Sequence, residues 1–257
     1  MFQKNVSLKN YTTFRIGGKA KYFFTAETKE DLIKAVVAAK ELKLPFFILG
    51  GGSNLLVSDR GFRGLVIKYG QPLSLYVSKG LEWAVGIPGT VQGAVCGNAG
   101  AFKKSMKDVV EEVEVFDAKT GKIKFFKNKD CRFSYRNSIF KKNKNLIILS
   151  VKIKEKKSNI KKIKQYLEHK KENHPWNYPS AGSVFKNPKG FSAGELIEKA
   201  GLKGKRIGKA EISEKHANFI VNLGGAKEKD VINLINLAKK SVKNKFKINL
   251  QEEIQFL

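Results

Sequence analysis

Three groups of residues in this sequence have types and spacings that suit chemistry. The first is Gly50-Gly51-Gly52-Ser53-Asn54, which follows an apolar run. Its glycines let backbone N–H groups come close to a diphosphate, and Ser53 and Asn54 add side-chain contacts. Taken alone, the segment serves equally well as a sharp turn. It is neither a Walker loop, which needs Gly-Lys-Ser/Thr, nor the Gly-x-Gly-x-x-Gly pattern that opens a dinucleotide-binding helix. The second group is Gly86-Ile87-Pro88-Gly89-Thr90-Val91-Gln92-Gly93-Ala94, continued by Gly97-Asn98-Ala99-Gly100-Ala101-Phe102. So many small residues let something flat or bulky lie against the backbone. The plainer alternative is a glycine-rich loop packed on itself. The third group consists of Ser183 in Gly182–Pro188, Arg136 in Tyr135-Arg136-Asn137-Ser138, and Glu253 in Leu250-Gln251-Glu252-Glu253-Ile254. In isolation these read as a turn serine, a surface ion-pair partner and a solvated strand-end carboxylate. His169, His174 and His216 lack metal-ligand spacing, and Cys96 and Cys131 suggest neither a metal pair nor a disulfide framework, so no metal is expected.

The elements that must position these residues follow from local patterns. Thr28 with Asp31 three residues on is a capping-box pattern, and Leu32, Ile33, Val36 and Val37 recur at helical spacing, which predicts a helix to about Lys43. Pro45 stops it. Phe46–Leu49, Leu55–Ser58 and Leu65–Lys68 read as strands around the first glycine loop. Val113–Phe116 and Ile123–Phe126 alternate as paired strands around Ala118-Lys119-Thr120-Gly121, with Leu146–Ile153 as a third. A charge run over 154–162 leads into a helix carrying Ile160, Ile163 and Leu167 on one face. Ser192 and Glu195 form a capping box for a short helix that Gly201 stops near Ala200. A helix over about Lys229–Lys245 buries Val231, Ile232, Leu234, Ile235 and Ala238, and Ile248–Leu257 reads as a final strand. The class is mixed, α+β, with a domain boundary near Asn173–Ser180.

Composition narrows the function classes. A chain of 257 residues with 42% hydrophobic content buries a substantial core. No run of about 18 apolar residues exists, and Met1–Phe14 lacks the apolar block of a signal peptide, so a cytoplasmic protein with no membrane association is expected. The formal charge of +27 raises nucleic-acid binding as a hypothesis. Only six of the 50 basic residues are arginine, the usual bidentate reader of phosphate and guanine, and no recognition module is present. No specific nucleic-acid partner is expected. The positive surface still helps to attract a polyanionic small substrate.

The two glycine segments, preceded by Tyr11-Thr12-Thr13-Phe14-Arg15-Ile16-Gly17-Gly18, resemble those of the UDP-N-acetylenolpyruvoylglucosamine reductase family of flavoenzymes. Tyr135–Ser138, Gly182–Pro188, Ala193–Gly204 and Ser213–Asn222 also resemble family motifs, in the family's order, so the resemblance spans nearly the whole chain. It implies an FAD-binding domain of the vanillyl-alcohol-oxidase type over residues 1–172 and a smaller α+β substrate-binding domain over 173–257. It also implies a reaction in which NADPH reduces the flavin, hydride passes to the enolpyruvyl carbon of the nucleotide sugar, and the neighbouring carbon is protonated. A monomer is expected. The flavin would be held by Gly50, Gly51, Gly52, Ser53, Asn54, Gly86, Ile87, Pro88, Gly89, Thr90, Gly93, Ala94, Asn98 and Gly100.

Hydride addition beside a carboxylate creates an enolate, which needs fixed positive or hydrogen-bond-donating groups. By resemblance, Arg136 and Glu253 fill that role and Ser183 is the proton donor. Arg136 supplies a permanent planar charge. Glu253 donates a hydrogen bond only where its site keeps it protonated, and adjacent Glu252 leaves the register open. Tyr135, Lys186, Asn187 and His216 match substrate-contacting positions.

The chain also departs from the family. Between Lys68-Tyr69-Gly70-Gln71-Pro72 and Gly80-Leu81-Glu82-Trp83, a few tens of residues that relatives carry are absent, as in a shorter class trimmed further. Gln92 stands where relatives have glycine, which brings a side chain close to the expected flavin path. Asn173 replaces an expected phosphate-contacting lysine, with Lys170 and Lys171 as stand-ins. The alternatives to an active reductase are a non-catalytic homologue of the same fold and another flavin oxidoreductase of this domain type.

Overall fold

The computed structural model describes all 257 residues. Strands β1 (Gln3–Ser7) and β2 (Lys19–Thr25) precede helix α1 (Lys29–Glu41), and β3 (Phe46–Leu49), β4 (Leu55–Leu56) and β5 (Phe62–Lys68) follow. Next come helix α2 (Val91–Gly97), the hairpin of β6 (Gly100–Ala101) and β7 (Lys104–Ser105), and strands β8 (Val110–Asp117) and β9 (Lys122–Lys127). Helix α3 (Ile139–Lys142), β10 (Leu146–Ile153) and α4 (Ile160–Asn173) lead to β11 (Ser180–Ser183) and α5 (Ala193–Lys199). The chain closes with β12 (Arg206–Ile207), β13 (Ala210–Ile212), β14 (Phe219–Asn222), α6 (Glu228–Phe246) and β15 (Gln255–Phe256).

Two compact units result. One comprises Met1–Lys4, Lys21–Gly51 and Arg63–His169, and the other Asn5–Ala20, Gly52–Phe62 and Lys170–Leu257. They are not contiguous halves of the sequence, and the glycine loop Gly50–Asn54 changes unit between Gly51 and Gly52.

In the first unit, β3 and β5 run parallel with Phe46 opposite Leu65, within a sheet ordered β1-β2-β5-β3. A second, antiparallel sheet is ordered β10-β8-β9. Leu32, Ala35, Val36 and Ala39 of α1 pack with Leu65 and Ile67 of β5 and with Phe116, Ile147 and Leu149 of the second sheet. The helix starts as its sequence demands: Thr28 accepts from the Asp31 N–H while Asp31 accepts from the Thr28 N–H, both at 3.1 Å.

The segment between β5 and α2 forms two 3-10 turns, Leu73–Lys79 and Glu82–Ala84. Their buried Leu73, Leu81, Trp83 and Ala84 join Val91 and Val95 in a second core. Gln92 is the fastener. Contrary to the expectation that it intrudes on the flavin path, its side chain is buried, accepting from the Gln71 N–H at 3.0 Å and donating to the Leu149 carbonyl at 3.3 Å. The Val91 N–H donates to the Gln71 carbonyl at 2.9 Å, so this segment is stitched onto the start of α2.

The second unit has a sheet ordered β11-β14-β13-β12 and a parallel pair of β4 with β15. Helix α6 buries Val231, Leu234, Ile235, Ala238 and Val242 in a core shared with Phe14, Ile16, Leu56, Phe185 and Ile254. Two expectations need correction. The final strand pairs regularly only over Gln255–Phe256, because residues ahead of it form an isolated bridge to Phe185 instead. The apolar stripe of α4 is weak: Ile160 is 68% exposed, and the residue that helix buries deeply is Lys170.

Candidate active site

Ser183 ends β11 and pairs with Phe219 of β14. The next residue, Val184, is tied on both sides: its N–H donates to the Asn218 carbonyl and its carbonyl accepts from the Glu253 N–H, both at 2.8 Å. Phe185 bridges Glu252, and the Lys186 N–H donates to the Gln251 carbonyl at 2.9 Å. Ser183 and Glu253 therefore sit on neighbouring backbones of the second unit. Buried Asn218 fixes this crossing, with Oδ1 accepting from the Phe185 N–H at 2.9 Å and Nδ2 donating to the Phe185 carbonyl at 2.8 Å. The sequence shows it only as one position of the Ser213–Asn222 motif, with no role of its own, and it stands just ahead of β14.

The same crossing separates the two C-terminal carboxylates. Glu252 accepts from the Lys239 ammonium at 2.7 Å. Burial opposes its charge, but the ammonium and a backbone N–H outweigh this and hold its carboxyl below the usual value. Glu252 is thus engaged as an ionised partner of α6. Glu253 has its backbone fixed from two directions, since its carbonyl also accepts from Asn54 Nδ2 at 3.2 Å. The Asn54 carbonyl in turn accepts from the Gln255 N–H at 3.0 Å. Asn54 therefore holds the C-terminal segment, while half-buried Ser53 and Gly52, whose carbonyl accepts from the Thr13 N–H at 3.2 Å, complete the loop in this unit.

Lys186 Nζ reaches Gln251 Oε1 at 3.3 Å, and Asn187 Oδ1 accepts from the Ala193 N–H at 3.0 Å, holding the start of α5. His216 Nδ1 accepts from the Asn218 N–H at 3.2 Å, and its ring lies 5.7 Å from His174 and 4.9 Å from Phe219. Burial lowers the pKa of this imidazole, and with Nδ1 accepting, the neutral ring carries its proton on Nε2. Of the two stand-in lysines, Lys170 is buried, with its ammonium pulled down to about 8 by that burial, whereas Lys171 is exposed.

In the first unit the two glycine segments interlock. A Cβ on Gly50 would stand 2.6 Å from Thr90 Oγ1, and one on Gly51 would stand 2.4 Å from the Gly89 Cα. Thr90 caps α2 by accepting from the Gly93 N–H at 3.2 Å. Ala94 is buried on the inner side of this helix, Ile87 packs on the second core, and Gly86 and Pro88 are exposed in the loop ahead. Gly100 is needed for a different reason, as its Cβ would meet the Lys104 carbonyl at 2.4 Å in the β6-β7 hairpin. Asn98 ends α2 with Nδ2 donating to the Ser134 carbonyl at 2.8 Å and Oδ1 accepting from the Lys107 N–H at 3.0 Å, so its side chain is engaged within the protein. Tyr135 and Arg136 form the centre of a tight turn, with the guanidinium 5.5 Å from the Tyr135 ring centre.

The residues present fit a flavin. Gly93 and Gly97 lie one turn apart on α2; a Cβ on Gly93 would stand 3.2 Å from Thr90 Oγ1, whereas one on Gly97 would meet nothing within 4 Å beyond its own helix. The end of the helix thus offers bare, open backbone at Gly97, and Gly93 a turn before it adds a strip without side chains for a flat ring. Gly97→Ala tests this directly. Replacing a helical glycine is expected to stabilise the apoprotein by up to about 1 kcal/mol, read by urea unfolding. FAD affinity, read by titration of flavin fluorescence, is expected to weaken by roughly tenfold, equivalent to about 1.4 kcal/mol. Unchanged FAD affinity would remove this strip from the cofactor site.

Residues 174–257 match the UDP-N-acetylenolpyruvoylglucosamine reductase C-terminal domain, and residues 20–78 match an FAD binding domain. A UDP-N-acetylenolpyruvoylglucosamine reductase of Caldicellulosiruptor bescii is 44% identical over 285 aligned positions, covering all of this chain and 90% of the relative. That of Caldanaerobacter subterraneus is 43% identical, covering 98% of this chain and 92% of the relative. The crystal structure of the enzyme from Thermus caldophilus superposes with a TM-score of 0.85 at 35% identity, covering 100% of this chain and 99% of that one.

Proposed function

The chain belongs to the UDP-N-acetylenolpyruvoylglucosamine reductase family, and from that premise we propose that Ser183, Arg136 and Glu253 carry its reaction. It is an FAD-dependent oxidoreductase that reduces UDP-N-acetylglucosamine enolpyruvate to UDP-N-acetylmuramate in peptidoglycan precursor synthesis. When bound, FAD reduced by NADPH supplies the hydride for the enolpyruvyl double bond. Arg136 offers the substrate carboxylate a permanent cation as negative charge grows on it. Glu253 donates a hydrogen bond to the same enolate when it carries a proton. Ser183 gives its hydroxyl proton to the carbon beside the carboxylate. A serine hydroxyl is a weak acid, but the enolate has a high proton affinity and needs a donor still protonated at that moment.

Tyr135, Lys186, Asn187 and His216 are assigned to substrate binding, and the two glycine segments, apart from the Asn98 side chain, to the cofactor. Residues 1–172 are assigned as the FAD domain and 173–257 as the substrate domain. The enzyme acts in the cytoplasm as a monomer, supporting wall growth, cell shape and division. The observation that carries the reading is the Val184 crossing, which brings the backbones of Ser183 and Glu253 together. The direct test is optical. Purified protein shows yellow flavin absorbance that NADPH bleaches without oxygen and the enolpyruvyl substrate restores. A colourless protein unable to take up added FAD would overturn it.

A further inference from the structure

We infer that Asn98 and Ser138 are positioning residues for Arg136, clamping the turn that carries it onto the end of α2. The inference rests on the reading of Arg136 as the cation for the substrate carboxylate. The Ser134 N–H donates to the Asn137 carbonyl at 3.0 Å and the Asn137 N–H to the Ser134 carbonyl at 3.1 Å, leaving Tyr135 and Arg136 as the two central residues. Arg136 has φ 54°, in the left-handed region. A long side chain stays there only where the surroundings over-determine the backbone.

Three side chains do so. Asn98 Nδ2 donates to the Ser134 carbonyl at 2.8 Å, at the base of the turn. Ser138, fully buried, donates to the Cys96 carbonyl at 2.7 Å and caps α3 by accepting from the Lys141 N–H at 3.4 Å. Lys141 Nζ donates to the Arg136 carbonyl at 3.3 Å. Asn98 is itself fixed, because Oδ1 accepts from the Lys107 N–H at 3.0 Å. Two of the three ties run to Cys96 and Asn98, the last turn of the helix that carries Gly93 and Gly97. The cation and the cofactor strip are thereby held in one frame. An error of about 1 Å in such placement costs on the order of a hundredfold in rate, so these ties act on catalysis without touching substrate.

Asn98→Asp isolates the contact. Aspartate tolerates the left-handed backbone and keeps the acceptor for Lys107, but it sets an oxygen against the Ser134 carbonyl. Ser138→Ala removes the second tie independently and decides the matter if the first variant folds poorly. Each is expected to slow reoxidation by the enolpyruvyl substrate by roughly tenfold or more. FAD content and the rate of reduction by NADPH should stay near the parent values in assays run well below the melting midpoint, which the loss of a buried hydrogen bond lowers. In an Arg136→Ala background neither should slow reoxidation further, since the group they place is gone. If Arg136→Ala leaves reoxidation intact, the reading of Arg136 itself fails. If Arg136→Ala slows it while Asn98→Asp and Ser138→Ala are silent, add to it fully, or strip the flavin, the positioning role is wrong.

Discussion

Ser183→Ala is expected to slow reoxidation of the reduced enzyme by the enolpyruvyl substrate by roughly a thousandfold, the middle of the range for removing a positioned general acid. Reduction by NADPH should change by no more than about twofold, because that half-reaction involves no proton transfer to substrate carbon. The structure makes this a clean substitution. Ser183 is half-buried at the end of β11, where its pairing with Phe219 is a backbone relation that alanine preserves. The neighbouring ties of Val184 to Asn218 and Glu253 also run through main-chain atoms. Stopped-flow traces at the flavin absorbance separate the two half-reactions. Equal loss in both would mean that the residue shapes the site instead of supplying the proton. Ser183→Cys provides a second reading, since a thiol is a stronger acid than a hydroxyl and should recover part of the lost rate.

What the sequence reveals here depends on how local the cause is. Helix α1 follows from Thr28, Asp31 and four apolar residues within one short window, and its capping bonds form as that window predicts. Helix α6 follows from the periodicity of Val231, Leu234, Ile235 and Ala238. Helix α2 was hidden because Gly93 and Gly97 lower its helix propensity and make the segment look like a loop. Its readable signal was Thr90 followed by Val91, Ala94 and Val95, a cap ahead of an apolar face. Gln92 was misjudged because a sequence offers no direction for a side chain. Only the position of Leu149, 57 residues away, turns it inward. Asn98 shows the same limit, since the resemblance places it beside the flavin but no local pattern reveals that its side chain bonds main-chain atoms of Ser134 and Lys107.

The register of the C-terminal carboxylates was open for that reason too, and the second large effect depends on it. Glu253→Ala is expected to slow reoxidation by the enolpyruvyl substrate by roughly a hundredfold or more, the cost of losing one donor to a developing oxyanion. Glu252→Ala should cost far less in rate. Its carboxylate is spent on Lys239, in a half-exposed pair worth at most about 1 kcal/mol of stability, and breaking it leaves Lys239 with access to water. Glu253→Gln distinguishes the two ways Glu253 can work. If it acts by donating a hydrogen bond, the amide N–H of glutamine substitutes and keeps much of the rate, and it does so without a proton that pH can remove. If it acts as an anion, glutamine fails as alanine does. Because the Glu253 N–H and carbonyl are held by Val184 and Asn54, neither substitution frees the backbone. The rate then reports on the carboxyl group alone, and a larger loss from Glu252→Ala than from Glu253→Ala would move the catalytic role one residue back.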